Sequence, residues 1–250
     1  MDPTDDGWLQ RIDWRRPWLA PYAEAGAALA ARAAGQGVVT ALAGARPAGR
    51  RFVPQADLPP EQAYEQYIDA EAAIPTRENP HDFFNALVWL HLPAAKRQMN
   101  RLQAAEIRRS GIGARRGPLR DALTLLDENG ALLRAPAELW QALRARDWYH
   151  AFVSGRSLWR QASLQLVGHA LLEQLALSPR KPLTAHVLLP PATAGDDAGL
   201  AAALDPHWLA TKPFTPLPVL GVPGWWAANE DPAFYDDAGV FRKARPVVAN

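Results

Sequence analysis

The chain has 250 residues, enough to bury roughly three quarters of its unfolded surface without disulfide or metal staples. Its net charge of +1 gives no global field to draw in nucleic acid or an anionic membrane. With no cysteine at all, disulfides, thiolate catalysis and thiolate zinc sites are excluded. Only four of the 27 basic residues are Lys, and beside so much Ala this Arg skew reads as GC-rich coding rather than function.

The opening MDPTDDGW is acidic and lacks an apolar run, so no secretory signal is expected. No stretch approaches the roughly 20 apolar residues that span a bilayer, so a cytoplasmic protein without membrane partners is the expectation. Residues 1–7 read as a disordered tail, and 8–250 as a single domain. Ala23 to Ala34 is an Ala-rich helix stopped by Gly35 and Gly37. Arg51–Val53 reads as a short strand within a loop, and Pro60 to Ala73 as a helix.

The best-signalled element follows. Asn79 suits an N-cap and Pro80 the first helical position, and HDFFNALVWLHL at 81–92 is apolar on every face. Pro93 ends it, and Ala94 to Arg109 continues as a polar-faced helix. Beyond the loop at 110–118, Leu119–Leu126 and Ala131–Arg134 flank Asp127-Glu128-Asn129-Gly130, which predicts a β-hairpin. Pro136 to Val153 is amphipathic helix, Arg156 to Gln161 a further short one, and Gly168 to Leu177 a helix closed by Pro179. Leu183–Leu189 alternates like a strand, and Gly195 to Ala210 is helical. From about 212 the chain is an irregular wrap rich in aromatics. The predicted class is α+β, mainly helical, with helices packed around a small sheet or hairpin.

A helix apolar all round is buried, so His81, Asp82 and Asn85 sit at the mouth of a buried element. Polar groups there must be paired or put to use. Two readings stand. In one, His81 is a general base or metal ligand, with Asp82 orienting it and Asn85 on the same helical face. In the other, Asp82 offsets the helix dipole, and His81 and Asn85 satisfy nearby backbone. His169 and Glu173 in GHALLEQL are also four apart on one face, and a carboxylate beside His can fix its tautomer or join it on a metal. An ordinary surface pair looks the same.

Weaker clusters complete the survey. Asp127 and Glu128 read as turn chemistry, and Arg120 and Asp121, adjacent on an expected strand, should face opposite ways. Arg108, Arg109, Arg115, Arg116 and Arg120 surround flexible glycines. Arg115, Arg116 and Arg120 are the candidate phosphate or nucleic-acid contacts, against the plainer reading of a solvated basic loop. Trp225, Trp226, Phe234, Tyr235 and Phe241 are too many aromatics for a free tail, and Asp236 and Asp237 among them either approach a site or face water. No phosphate-cradling loop, dinucleotide fingerprint, HExxH or GxSxG is present, which argues against NTPases, dehydrogenases, zincins and serine hydrolases.

FVPQ at 52–55, PTRENPHDFFNALVWL at 75–90, the Pro93–Lys96–Asn100 run, RDALTLLDENG at 120–130, GHALLE at 168–173 and the segment from Leu217 to Arg242 occur in one order. Together they resemble the proteobacterial domain-of-unknown-function family 3025 over about Arg51 to Arg242, with Pro80 where that family would carry Trp. The resemblance implies a bacterial intracellular protein and no particular activity. It also implies that the His-Asp-Phe-Phe-Asn turn and the His169–Glu173 turn are signature motifs.

Two functional hypotheses follow. The first is a hydrolase-like enzyme in which His81, Asp82, Asn85, His169 and Glu173 meet across a cleft. His81, Asp82, His169 and Glu173 then either ligate a divalent metal such as zinc or manganese or work without one. The second is a non-catalytic binding or interaction module whose buried polar residues are internal struts. The sequence names no partner for either.

Overall fold

The computed structural model describes residues 7–111, 117–189 and 196–244. Short helix α1 (Gly7–Gln10) and a 3-10 turn (Pro17–Tyr22) lead into α2 (Ala23–Gln36) and α3 (Val38–Ala41). Gly7, expected in the tail, thus opens a helix, while 1–6 lie outside the described residues. Helix α2 runs through Gly35 and stops at Gly37, whose φ of 82° favours glycine.

Strand β1 (Arg51–Pro54), α4 (Tyr64–Glu71) and β2 (Ala73–Thr76) form a small parallel β–α–β unit. The predicted helix over 60–73 is therefore shorter at both ends. Ala72 turns left-handed (φ 48°), and β2 begins at once. Strand β2 delivers the chain into α5 (Pro80–His91), where Asn79 Oδ1 accepts from Asp82 N at 2.8 Å as the N-cap. Phe83, Phe84, Ala86, Leu87, Val88 and Trp89 are all buried, as the all-apolar pattern requires. After the non-helical Leu92, α6 (Pro93–Ser110) starts on Pro93, and Asp197 caps it from a distance by accepting from Ala94 N and Ala95 N.

The predicted hairpin at 119–134 does not form. Pro118–Asn129 is helix α7, and β3 (Gly130–Arg134) follows it directly. Leu119, Ala122, Leu123 and Leu126 are buried together at helical spacing, so burial of one helical face overrides the Asn-Gly turn signal. Gly130 keeps an extended φ of −77° and needs no left-handed turn. Arg120 and Asp121 are accordingly helical, not strand residues on opposite faces.

Helix α8 (Ala137–Ala145) ends where Arg146 turns left-handed (φ 53°), and a separate π-turn covers His150–Ser154, so the predicted helix to Val153 is two pieces. Then come a 3-10 turn (Arg156–Gln161), the unanticipated strand β4 (Ser163–Leu166), α9 (His169–Leu177) and β5 (Thr184–Leu188). The helical stretch near 195–210 divides into α10 (Asp197–Ala203) and α11 (Pro206–Ala210), because Asp205 caps a new helix at Pro206. Strand β6 (Thr215–Pro218) and three 3-10 turns carry the remainder.

The second sheet has the order β4-β3-β5-β6, with β3 and β5 parallel and the outer pairings antiparallel. Helices surround both small sheets, so the fold is mainly helical α+β. Nearly all buried apolar side chains form one cluster. The terminal aromatics join it: Tyr235 stacks on Phe152 at 5.1 Å, and Trp225 lies 6.0 Å from Trp18. No helix among the described residues is long and apolar enough to cross a membrane.

Candidate functional site

Three helix ends converge on one place. The first turn of α5 supplies His81, the first turn of α9 supplies His169 and, one turn on, Glu173, and the last turn of α7 supplies Asp127 and Glu128. Helix α9 packs on both α5 and α7. Val167 N and Gly168 N both donate to Gly130 O and draw the start of α9 onto the end of α7.

His81 Nε2 and His169 Nε2 face each other at 3.0 Å, with the rings 4.4 Å apart and nearly perpendicular. On its other side His81 Nδ1 meets Glu173 Oε2 at 3.2 Å. Glu128 Oε2 lies 3.6 Å from His169 Nε2. One donor atom each from His81, Glu128 and His169 fall within 4.8 Å of one another. His169 is 4% exposed, and its Nδ1 has no hydrogen-bond partner among the described residues, Asp127 Oδ2 standing off at 3.9 Å.

These contacts constrain the protons. The Glu173 carboxylate can only accept, so His81 carries its proton on Nδ1 and aims the Nε2 lone pair at His169. Burial pushes the His169 pKa down to about 4, so this imidazole is neutral at ordinary pH. The Glu173 hydrogen bond holds His81 above its usual value. Burial, then the Asp127 charge, raises Glu128. Burial alone would raise Asp127 too, but the Lys96 ammonium paired with it holds it below the ordinary carboxylate value. If His169 is protonated on Nε2, it donates across the 3.0 Å to His81 Nε2; if on Nδ1, two lone pairs meet there, and only a cation between them relieves the repulsion. That cation is a proton or a metal ion. With metal–nitrogen bonds of 2.0–2.1 Å, the separation gives a bite angle of about 95°, within reach of a chelating pair.

The cluster opens on a cavity of about 340 Å3 between α4, α5, α6 and α7. A chain of polar contacts runs along its wall. Lys96, 4% exposed, pairs with Asp127 and donates to Asn85 Oδ1 at 2.8 Å. Asn85 Nδ2 donates to Tyr64 Oη at 3.2 Å. The Lys96 ammonium also sits 5.4 Å from the Trp89 ring centre.

The sequence-derived candidates separate into groups. His81, His169 and Glu173 come together as expected. Glu173 stands on the far side of His81, where it supports the ring rather than sharing the centre. Asn85 lines the cavity and holds Lys96. Asp82 lines it too, but both of its oxygens are taken by Arg77, at 3.0 Å to Nε and 2.9 Å to Nη2, and one also accepts from Arg77 N. It therefore neither orients His81 nor offers a ligand atom. Arg120 is buried on α7 and is not part of the cavity wall, and Arg115 and Arg116 lie outside the described residues. Arg108 and Arg109 are paired with Asp69 and Glu106. Asp237 pairs with Lys181, away from the cavity.

Glu128, Asp127, Lys96, Arg77 and Tyr64 are the residues that sequence reasoning missed. The first two were assigned to a turn that does not exist. Their signal was the 119, 122, 123, 126 spacing, which makes them the last turn of a helix.

A family model described as a protein of unknown function (DUF3025) matches residues 50–245. Neither a curated protein nor a solved structure matches the chain.

Proposed function

The chain belongs to the DUF3025 family, whose description assigns no activity, and from that premise we propose that it is a hydrolase-like enzyme built around a divalent metal. His81, His169 and Glu128 hold the ion. Two imidazoles and one carboxylate form a donor set used by catalytic zinc, with a position left for water. The observation that carries the reading is the facing pair of Nε2 atoms at 3.0 Å with Glu128 beside them, on the wall of an open cavity. A divalent ion there lowers the pKa of bound water toward neutrality. Glu173 keeps the His81 lone pair turned inward, and Asp127, fixed by Lys96, keeps negative charge beside the His169 ring. A bacterial cytoplasmic setting is part of the same proposal: the family resemblance supports the first part, and the resemblance together with the absence of a membrane-length apolar stretch supports the second.

The rival reading, a binding module with internal polar struts, requires the cluster to be closed with every polar atom paired. The open cavity beside the cluster favours chemistry instead. Elemental analysis of the purified full chain tests this. One equivalent of zinc or manganese is expected, lost in His169→Ala and in Glu128→Gln. A chain that retains no metal and binds none on titration with Zn2+ or Mn2+ overturns the proposal. Stoichiometric iron keeps the centre but replaces hydrolysis by redox chemistry.

A further inference from the structure

The polar chain along the cavity wall has a fixed direction. An ammonium group has donors and no acceptor. The Asn85 atom 2.8 Å from Lys96 Nζ is therefore the amide oxygen, and the amide nitrogen is the atom that faces Tyr64 at 3.2 Å. Asn85 donates, so the Tyr64 oxygen accepts, and the Tyr64 proton must point elsewhere. No described residue accepts it, and Tyr64 lines the cavity. The wall thus ends in a hydroxyl whose oxygen accepts from Asn85, backed by Lys96, and whose proton is left for an acceptor in the cavity.

The charges in the same cavity narrow what can sit there. Four carboxylates line it, from Glu65, Asp82, Asp127 and Glu128, against two cations, Arg77 and Lys96. Each cation is already ion-paired, Arg77 with Asp82 and Lys96 with Asp127. With a divalent ion at the cluster these formal charges cancel, so a phosphoester would meet no net positive field and no uncommitted cation among the described lining residues. A neutral group with a carbonyl acceptor meets a waiting donor, while Ile68, Trp89 and Met99 supply an apolar surface.

We propose that the Tyr64 hydroxyl binds the carbonyl oxygen of a neutral substrate, a carboxamide or carboxylic ester, held in the cavity beside the His81–His169–Glu128 cluster. This rests on the hydrolase reading above and names its substrate class. In the reaction, the oxygen of water bonds to the carbonyl carbon. The carbon–nitrogen or carbon–oxygen bond breaks, and a proton from that water passes to the departing amine or alcohol. Tyr64 keeps its own proton and hydrogen-bonds to the carbonyl oxygen as negative charge gathers there.

The test uses the full chain carrying its metal. p-Nitrophenyl acetate and p-nitroacetanilide are compared with bis(p-nitrophenyl) phosphate as substrates, and benzamide binding is measured by calorimetry. Carbonyl substrates should be turned over in preference to the phosphodiester. Tyr64→Phe should lower kcat by about 100-fold and weaken benzamide at least tenfold, with metal content and melting temperature unchanged. Asn85→Asp is the second variant. A carboxylate cannot donate, so it would take the Tyr64 proton for itself and cause the same losses with Tyr64 in place. Faster phosphodiester hydrolysis overturns the assignment. So does a wild type that does not bind benzamide, or equal benzamide affinity in wild type and Tyr64→Phe. Loss of metal from the wild type would instead defeat the hydrolase reading, so the two failures are distinct.

Discussion

Gly168 rests against Asn129 so closely that a Cβ at 168 would lie 2.5 Å from both the N and the Cα of Asn129. The same added carbon would be 2.5 Å from Glu128 O. These are backbone atoms, so the clash cannot be relieved by turning a side chain. The contact sets the distance between the last turn of α7 and the first turn of α9, and with it the distance from Glu128 to His169.

Gly168→Ala should therefore cost about 1–3 kcal/mol, the ordinary penalty for overpacking. It should also pull the two ends apart and weaken zinc binding, although residue 168 contributes no ligand atom. Thermal denaturation of the metal-free chain reads the first effect, and a zinc titration reads the second. A variant with unchanged melting temperature and unchanged zinc affinity would show that the α7–α9 contact does not set the site.

Lys96 is buried, and its charge is matched by Asp127. Removing one partner of such a pair strands the other charge, at about 3–5 kcal/mol, whereas removing both is often close to neutral. Lys96→Met should destabilise strongly, and adding Asp127→Asn to it should recover most of the loss. Urea unfolding of the four members of the cycle measures the coupling. Additive effects would mean that the two groups do not act as a pair.

The elements most legible in the sequence were those whose local signals agree with their burial. Asn79, Pro80 and the all-apolar run from Phe83 mark α5 by cap, first-turn residue and pattern together, whereas the approach of His81 to His169 and Glu173 entered only through the enzyme hypothesis, which set all five candidates across one cleft. The hairpin expectation failed because Asn-Gly is a two-residue signal, while Leu119, Ala122, Leu123 and Leu126 bury a whole helical face. That one error hid Asp127 and Glu128 from the site. Strands β2 and β4 were illegible for a different reason. Each has four residues and gains its pairing from a partner distant in sequence. Lys96 could have been suspected from its place with Asn100 and Gln103 on one face of α6, where all three are buried.

Glu173 and Glu128 make a sharp comparison. Glu173 touches only the outer nitrogen of His81, whereas Glu128 stands next to the facing Nε2 atoms. Loss of an outer hydrogen-bond partner typically lowers metal affinity 10–100-fold, about 1.4–2.7 kcal/mol, without abolishing it. Glu173→Ala should fall in that range. Glu128→Gln should leave only weak, two-imidazole binding. Competitive titration against a zinc chelator distinguishes them, and equal losses would mean that the two carboxylates have the same role.

His186 lies on β5 with its ring 6.4 Å from Phe214, and burial lowers its pKa from the usual 6.5. Folded, it stays neutral to a lower pH than it does in the unfolded chain. Between the folded pKa and 6.5 the unfolded state holds more protons, so stability rises with pH across that window. Acidifying from 7.5 should thus leave the His186 contribution intact at first, then lose it progressively below about 6.5 until the folded group protonates. Other buried imidazoles titrate nearby, so the measurement is a difference: urea unfolding at several pH values, in chelator, for the wild type and for His186→Gln. Glutamine cannot titrate, and its stability should fall less steeply on acidification. Parallel profiles would mean that His186 has the same proton affinity folded and unfolded, and that its place on β5 imposes no cost on its charged form.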